Sequence, residues 1–389
     1  WNDLFAVDTS MSGHELLSNG GLSGFSPVPG TPLGIGVAAP RWVCVGDLDG
    51  NGLMDVVIGD SAPSMQYMNN GSGAFTDMAG VGQSGFSSDT STSNGGITMA
   101  DLDNDGDLDI FVASGGAGGA NQFWQNDGAG NFVDVAATAG CDTAANAYDV
   151  VIADFDNDGM RDIYLACNGD NVLYRNQGDQ VGGDGIPEFT NVAAAAGGTV
   201  NDGSDGRLCC AGDVDGDGDM DVFVGNEAVT NVMYQNDLGN NFRYLMVKLV
   251  GKGAAMGGSS PDAIGAKVHI EDAATGADVM WHWVGSGRGA GADDPKALHF
   301  GGLTPSRAYH VHVTWPTGGT QTMMNVVPTT KTSQTVTITI TGINDAATFG
   351  GAITGGATED TSDAAGTATV ADADTGQATF TAVSTETAS

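Results

Sequence analysis

Short runs of β-branched and aromatic residues alternate, over roughly the first 240 positions, with stretches rich in Gly, Asp and Asn. The runs come in pairs around a recurring acidic phrase: Trp42-Val-Cys-Val and Val56-Val-Ile, Ile97-Thr-Met and Ile110-Phe-Val, Val150-Val-Ile and Ile163-Tyr-Leu, Leu208-Cys-Cys and Val222-Phe-Val. Apolar runs this short, bounded by turn formers, predict buried strands. Each acidic phrase therefore joins two strands. Downstream of each pair an aromatic or apolar pair runs into Asn, then a Gly-rich turn, then Phe: Gln66 to Asn69 and Phe75, Gln122 to Asn126 and Phe132, Val172 to Asn176 and Phe189, Val232 to Asn236 and Phe242. That phrase predicts a hairpin of a third and a fourth strand. A four-stranded unit whose acidic phrases begin 54, 53 and 59 residues apart has the period of a propeller blade.

The acidic phrase itself is Asp-x-Asp-x-(Asp/Asn)-Gly-x-x-Asp. Side-chain oxygens at positions 1, 3 and 5 converge when Gly at position 6 turns the loop, and a backbone carbonyl at position 7 with a closing Asp at position 9 completes a shell of hard oxygens suited to Ca²⁺. The predicted ligands are Asp47, Asp49, Asn51, Leu53 and Asp55; Asp101, Asp103, Asp105, Asp107 and Asp109; Asp154, Asp156, Asp158, Met160 and Asp162; and Asp213, Asp215, Asp217, Asp219 and Asp221. An EF-hand closes with Glu at position 12 and lies between helices; neither holds here. Asp and Gly also make good turns without any metal, but four copies in register favour about four calcium sites.

Composition narrows the setting. The net charge of −36, from 48 acids against 12 bases, argues against nucleic acid and anionic membranes as partners. No run approaches the ~20 apolar residues of a membrane span. The chain opens at Trp1 rather than Met, which reads as a processed product, and millimolar extracellular calcium suits sites of this kind. The expected location is extracellular, secreted or on the cell surface. Five cysteines, Cys44, Cys141, Cys167, Cys209 and Cys210, leave packed strand residues and one or two disulfides both open.

With both phrases in hand, residues 1–242 resemble the FG-GAP and VCBS-type repeats of integrin-α-like β-propellers, which implies calcium loops at the blade rim and partners on a propeller face. Residues 243–341 resemble the ASPIC/UnbV module through Asp262-Ala-Ile-Gly-Ala-Lys267, Leu298-His-Phe-Gly301 and Trp315-Pro-Thr-Gly318. Residues 342–389 resemble the opening of a cadherin-like VCBS domain through Thr358-Glu-Asp360 and Gly366 to Asp374. The expected architecture is all-β: a calcium-binding propeller, a sandwich-like module and a partial β tail.

No Gly-x-Ser-x-Gly elbow, His-Glu-x-x-His helix or phosphate-binding glycine loop occurs, and the Asp pairs that would imitate glycosidase carboxylates are committed to metal. Of the histidines, His310 and His312 share a strand face without a third ligand at a telling distance, and Trp281, Trp283 and Trp315 read as core aromatics. The expectation is a non-enzymatic, calcium-stabilised structural or adhesion protein; the alternative is a carbohydrate-binding or carbohydrate-active propeller. Glu15 to Phe25 matches the second half of a repeat with no acidic phrase before it, and segments such as Gln334 to Ile340 and Ala378 to Val383 are β-rich. These open β ends point to partners that are other copies of the chain, joined by strand addition into a surface fibre, beside extracellular glycan or protein ligands.

Overall fold

A computed structural model of the protein describes residues 42–59, 65–71, 75–78, 86, 94–115, 119–180, 183–193, 203–238, 243–251, 260–285, 296–316 and 318–328, with the backbone of six further short strands. Three of those strands come first: β1 (Leu4–Ala6), β2 (Glu15–Asn19) and β3 (Phe25–Pro27). The four repeat units follow. The first is β4 (Trp42–Gly46), β5 (Asp55–Gly59), β6 (Met65–Asn69) and β7 (Phe75–Asp77). The second is β8 (Asn94–Ala100), β9 (Asp109–Ser114), β10 (Gln122–Asn126) and β11 (Phe132–Asp134), followed by a single helical turn, α1 (Ala136–Ala139). The third is β12 (Ala147–Ala153), β13 (Asp162–Cys167), β14 (Val172–Asn176) and β15 (Phe189–Asn191). The fourth is β16 (Gly206–Gly212), β17 (Asp221–Asn226) and β18 (Val232–Tyr234). Its expected last strand, at Phe242, lies outside the described residues.

Every unit is an antiparallel sheet in sequence order, and each acidic loop joins its first two strands, as the apolar runs predict. The Asn-to-Phe hairpin keeps one register throughout: Asn69 faces Phe75, Asn126 faces Phe132 and Asn176 faces Phe189. Asn19 faces Phe25 in the same way, so the half repeat read near the N-terminus pairs like its homologues.

The cores lie between sheets. Leu48, Ile97, Leu108 and Ile110 join units one and two; Leu102, Phe111, Ile163 and Tyr174 join two and three; Phe155, Tyr164, Met220 and Val222 join three and four. Second strands are buried on both faces, which explains why they read as unbroken β-branched runs. Neighbouring first strands touch, β4 with β8, β8 with β12 and β12 with β16, as in successive blades around an axis. Position 2 of the first three loops plugs the next seam, with Leu48, Leu102 and Phe155 buried, whereas Val214 of the fourth loop is 65% exposed.

The C-terminal module is a sandwich. β19 (Arg243–Val250), β22 (Ala297–Leu303) and β25 (Thr335–Thr339) form one sheet. The other holds β20 (Lys267–Asp272), β21 (Asp278–Trp283), β23 (Tyr309–Thr314), β24 (Thr320–Val326), β26 (Thr348–Gly350) and β27 (Thr369–Ala371). Alternating residues Leu245, Val247, Val268, Ile270, Val311 and Val313 fill the space between them with Phe300 and Trp315.

Several expectations change. The Thr-rich strand at 335–339, read as an unfinished end, is taken up parallel to β19. Trp315 is a core residue, but Trp281 and Trp283 are only partly buried. Their strand, β21, is an edge of the larger sheet, where one row of backbone hydrogen-bonding groups remains available for other contacts. None of the five cysteines is in a disulfide, and Cys44, Cys141, Cys167 and Cys209 are buried. His14, most of the Gly285–Asp293 loop and Ala378 to Val383 lie outside the described residues. Among the described residues no helix is long and apolar enough to cross a membrane.

Candidate metal centres

Each acidic loop folds around its own first carboxylate. The Gly at position 6 has positive φ (83° at Gly52, 97° at Gly106, 94° at Gly159, 88° at Gly218), the left-handed region that glycine adopts without a Cβ penalty. Its N–H donates to position 1: Gly52 to Asp47 at 2.8 Å, Gly106 to Asp101 at 3.0 Å, Gly159 to Asp154 at 2.9 Å and Gly218 to Asp213 at 3.0 Å. Position 5 accepts from the N–H of position 7, as Asn51 does from Leu53 at 2.7 Å and Asp105, Asp158 and Asp217 do from Asp107, Met160 and Asp219 at 2.9 Å.

The turns bring positions 1, 3 and 9 together. Carboxylate oxygens of Asp47, Asp49 and Asp55 lie within 4.8 Å of one another, as do those of Asp101, Asp103 and Asp109, of Asp154, Asp156 and Asp162, and of Asp213, Asp215 and Asp221. Position 5 is not a member of these three-residue groups, and Asp105 and Asp158 lie close enough to Asp103 and Asp156 for the paired carboxylates to repel. Position 7 enters no group as a side chain in the first three loops. In the fourth, Asp219 is buried and accepts from Asn157 Nδ2 at 2.6 Å and from Leu238 N at 2.7 Å, and it groups with Asp217 and Asp237 instead.

The closing Asp does more than the sequence reveals. Its two oxygens are held by two backbone donors: Asp55 by Leu48 and Asn69, Asp109 by Leu102 and Asn126, Asp162 by Phe155 and Asn176, Asp221 by Val214 and Asn236, all at 2.7 to 2.9 Å. The hairpin Asn then reaches the preceding unit. Asn126 Nδ2 donates to Leu48 O at 2.9 Å, Asn176 to Leu102 O at 2.9 Å and Asn236 to Phe155 O at 2.7 Å, each also bonding the carbonyl at position 8 of its own loop. A closing Asp fixes the N–H of position 2, and the next unit's Asn fixes the carbonyl of that same residue. The recurrence of Asn 14 to 17 residues after the closing Asp was the available signal.

These are buried carboxylates with too little positive charge around them. Burial pushes Asp55 and Asp101 up to about 7 and Asp154 up to about 8, and holds Asp109 and Asp162 well above the usual carboxylate range, with neighbouring loop carboxylates adding to the rise. Arg175 pairs with Asp156 and Asp158 from the partly exposed side, and Arg161, fully buried, donates to Asp101 O at 2.7 Å. Three hard oxygens converging at a desolvated point fit a hard divalent cation, which would remove the cost of ionising them. Without metal the sign is clear. The folded state holds protons that the unfolded chain has released, so the stabilisation is present below about pH 4 and lost as pH rises to about 8. Urea midpoints of chelated protein should therefore fall between pH 5 and 8, and those of calcium-loaded protein should not follow that fall.

Comparison with known proteins agrees with this layout. FG-GAP-like repeat models match residues 47–112, 101–165 and 154–224, and the ASPIC and UnbV model matches 256–342. Cartilage acidic protein 1 of Mus musculus is 33% identical over 139 residues, and that of Xenopus tropicalis 32% over 139 residues. These stretches cover 35% of this chain and 20% of each relative, so the chain spans a fifth of their length. An Agrocybe aegerita lectin structure, titled for recognition of non-reducing terminal N-acetylglucosamine, aligns over 61% of this chain and 66% of its own at 21% identity with a TM-score of 0.36, too low to carry any argument. The loops, the register and these matches together make residues 47–224 FG-GAP-like repeats and residues 256–342 an ASPIC and UnbV module.

Proposed function

We propose that this chain is an extracellular, calcium-stabilised structural and adhesion protein without catalytic turnover. The observation that carries the reading is the placement of the acidic clusters: every closing carboxylate sits inside the hydrogen-bonded seam of its repeat, so metal bound there acts on architecture. Calcium is favoured over magnesium because the loops offer several carboxylates and flexible loop carbonyls, whereas Mg²⁺ retains much of its water. The first loop, with Asn51 in place of a carboxylate, should fill last in a calcium titration followed by calorimetry. Equal affinity at four sites would contradict that assignment.

Self-assembly is part of the proposal. Among the described residues β1 is an edge of the three-stranded N-terminal sheet and β27 an edge of the six-stranded one. Edge strands present unpaired backbone donors and acceptors to neighbours, and head-to-tail pairing that does not close produces a filament. Light scattering in millimolar calcium tests it: the intact chain should polymerise, and a chain lacking 343–389 should remain a folded monomer. A monomeric intact chain, or a truncated one that still polymerises, would exclude fibre formation by this route, and turnover of a polysaccharide would favour a carbohydrate-active propeller.

A further inference from the structure

The C-terminal module rests on the turns of the acidic loops. At the second loop, Asn104 stands at φ 63°, donates from Nδ2 to Val279 O at 2.5 Å and accepts from Trp281 N at 3.3 Å, so its amide mimics a strand partner for β21. The Trp281 ring covers Gly106, where a Cβ would come within 3.1 Å of it, and Lys267 Nζ donates to Gly106 O. At the third loop, Gly302 N donates to Asn157 O at 2.9 Å. A Cβ on Gly301 would collide with Asp154, and one on Gly302 would lie 2.6 Å from Asp158 O, so this glycine pair of the module admits close approach and nothing larger. At the fourth loop, His299 Nε2 donates to Gly218 O at 3.0 Å while stacking on Tyr244, whose ring leaves no room for a Cβ on Gly218.

The module therefore reads positions 4 to 6 of three loops. Those positions are shaped by the position 1 carboxylate, which holds the Gly N–H at position 6 with one oxygen and belongs to the metal cluster. One residue thus links the cation site to the docked surface. Behind the contact, Gly46, Thr98, Ile152 and Ala211, one from each first strand, line a cavity of about 100 Å³ whose opposite wall includes Met280 and His299. The module closes the axis of the blades at the metal-loop end.

From this geometry we propose that metal occupancy of loops two to four controls docking of the ASPIC and UnbV module: filled loops hold it across the axis, and emptied loops release it. The proposal rests on the calcium reading above. An emptied loop with ionised carboxylates leaves them to repel one another, and their separation pulls the position 1 acceptor away from the Gly N–H that it holds.

Hydrogen exchange on the intact chain, with small-angle scattering alongside, tests it. In calcium the Trp281 amide, which donates to Asn104 from the outer edge of β21, should be protected. In chelator its protection should fall at least tenfold and the radius of gyration should rise, while β20 and β23, inside the module's own core, stay protected; restoring calcium should reverse both changes. Trp281→Ala covers the case in which chelation unfolds the repeats. In saturating calcium it should bind the wild-type number of ions yet show the released pattern, and because coupling between sites is reciprocal its calcium affinity should fall by about tenfold. The inference is overturned if the amide at position 281 stays protected after bound calcium is shown to have left, or if Trp281→Ala matches wild type in both affinity and protection. A chain that binds no calcium at all would instead overturn the reading of the loops.

Discussion

Removing calcium at neutral pH is expected to lower the melting temperature of this protein by roughly 20 °C or more. A ligand at a hundred times its dissociation constant contributes about 2.7 kcal/mol per site, and a domain of this size moves by about 2 to 4 °C per kcal/mol, so four sites produce a large shift. The physical origin is local. Asp109 and Asp162 are buried among other loop carboxylates, and a folded state that has lost its cations must either protonate such groups or open the loops that hold them. Calorimetry in calcium and in excess chelator checks the value, and coincident melting curves would show that the loops are stabilised by their hydrogen bonds alone.

The second large effect separates metal binding from the blade seam. Asp162→Ala removes a member of the third cluster and leaves the backbone N–H groups of Phe155 and Asn176 without their acceptor. Each orphaned buried donor costs about 1 to 3 kcal/mol, to which the lost metal adds. Asn176→Ala leaves the cluster intact but releases Leu102 O and Arg161 O, and should destabilise by about 2 kcal/mol with full calcium content. Both variants should show a lower urea midpoint, but only Asp162→Ala should have one fewer ion by elemental analysis. If Asn176→Ala also loses an ion, the Asn belongs to the metal site rather than to the seam.

What the sequence made legible follows from range. The acidic loop, its flanking strands and the Asn-to-Phe hairpin are local patterns, each set within a few residues by Gly, Asp and β-branched side chains, and they fold as they read. The seam is not local. Asn126 meets Leu48 across 78 residues and Asn176 meets Leu102 across 74, and nothing in the spacing of one repeat shows that its Asn bonds the unit before it. The module contacts span further, with Asn104 reaching Val279 across 175 residues. Trp281 and Trp283 illustrate the consequence: as aromatic residues on a predicted strand they read as core, and only the path of the chain shows that Trp281 covers a loop glycine. Position 5 has a further local use that the spacing does not show, since its side chain accepts from the N–H of position 7.

The most direct test of the account is a count of calcium ions per chain, by elemental analysis of the intact protein after dialysis against micromolar calcium and confirmed by titration. Three to four ions, with the deficit at the Asp47 loop and one fewer for each of Asp109→Ala, Asp162→Ala and Asp221→Ala, is the result these loops predict. A calcium content near zero, or a count unchanged when the closing carboxylates are removed, would contradict it.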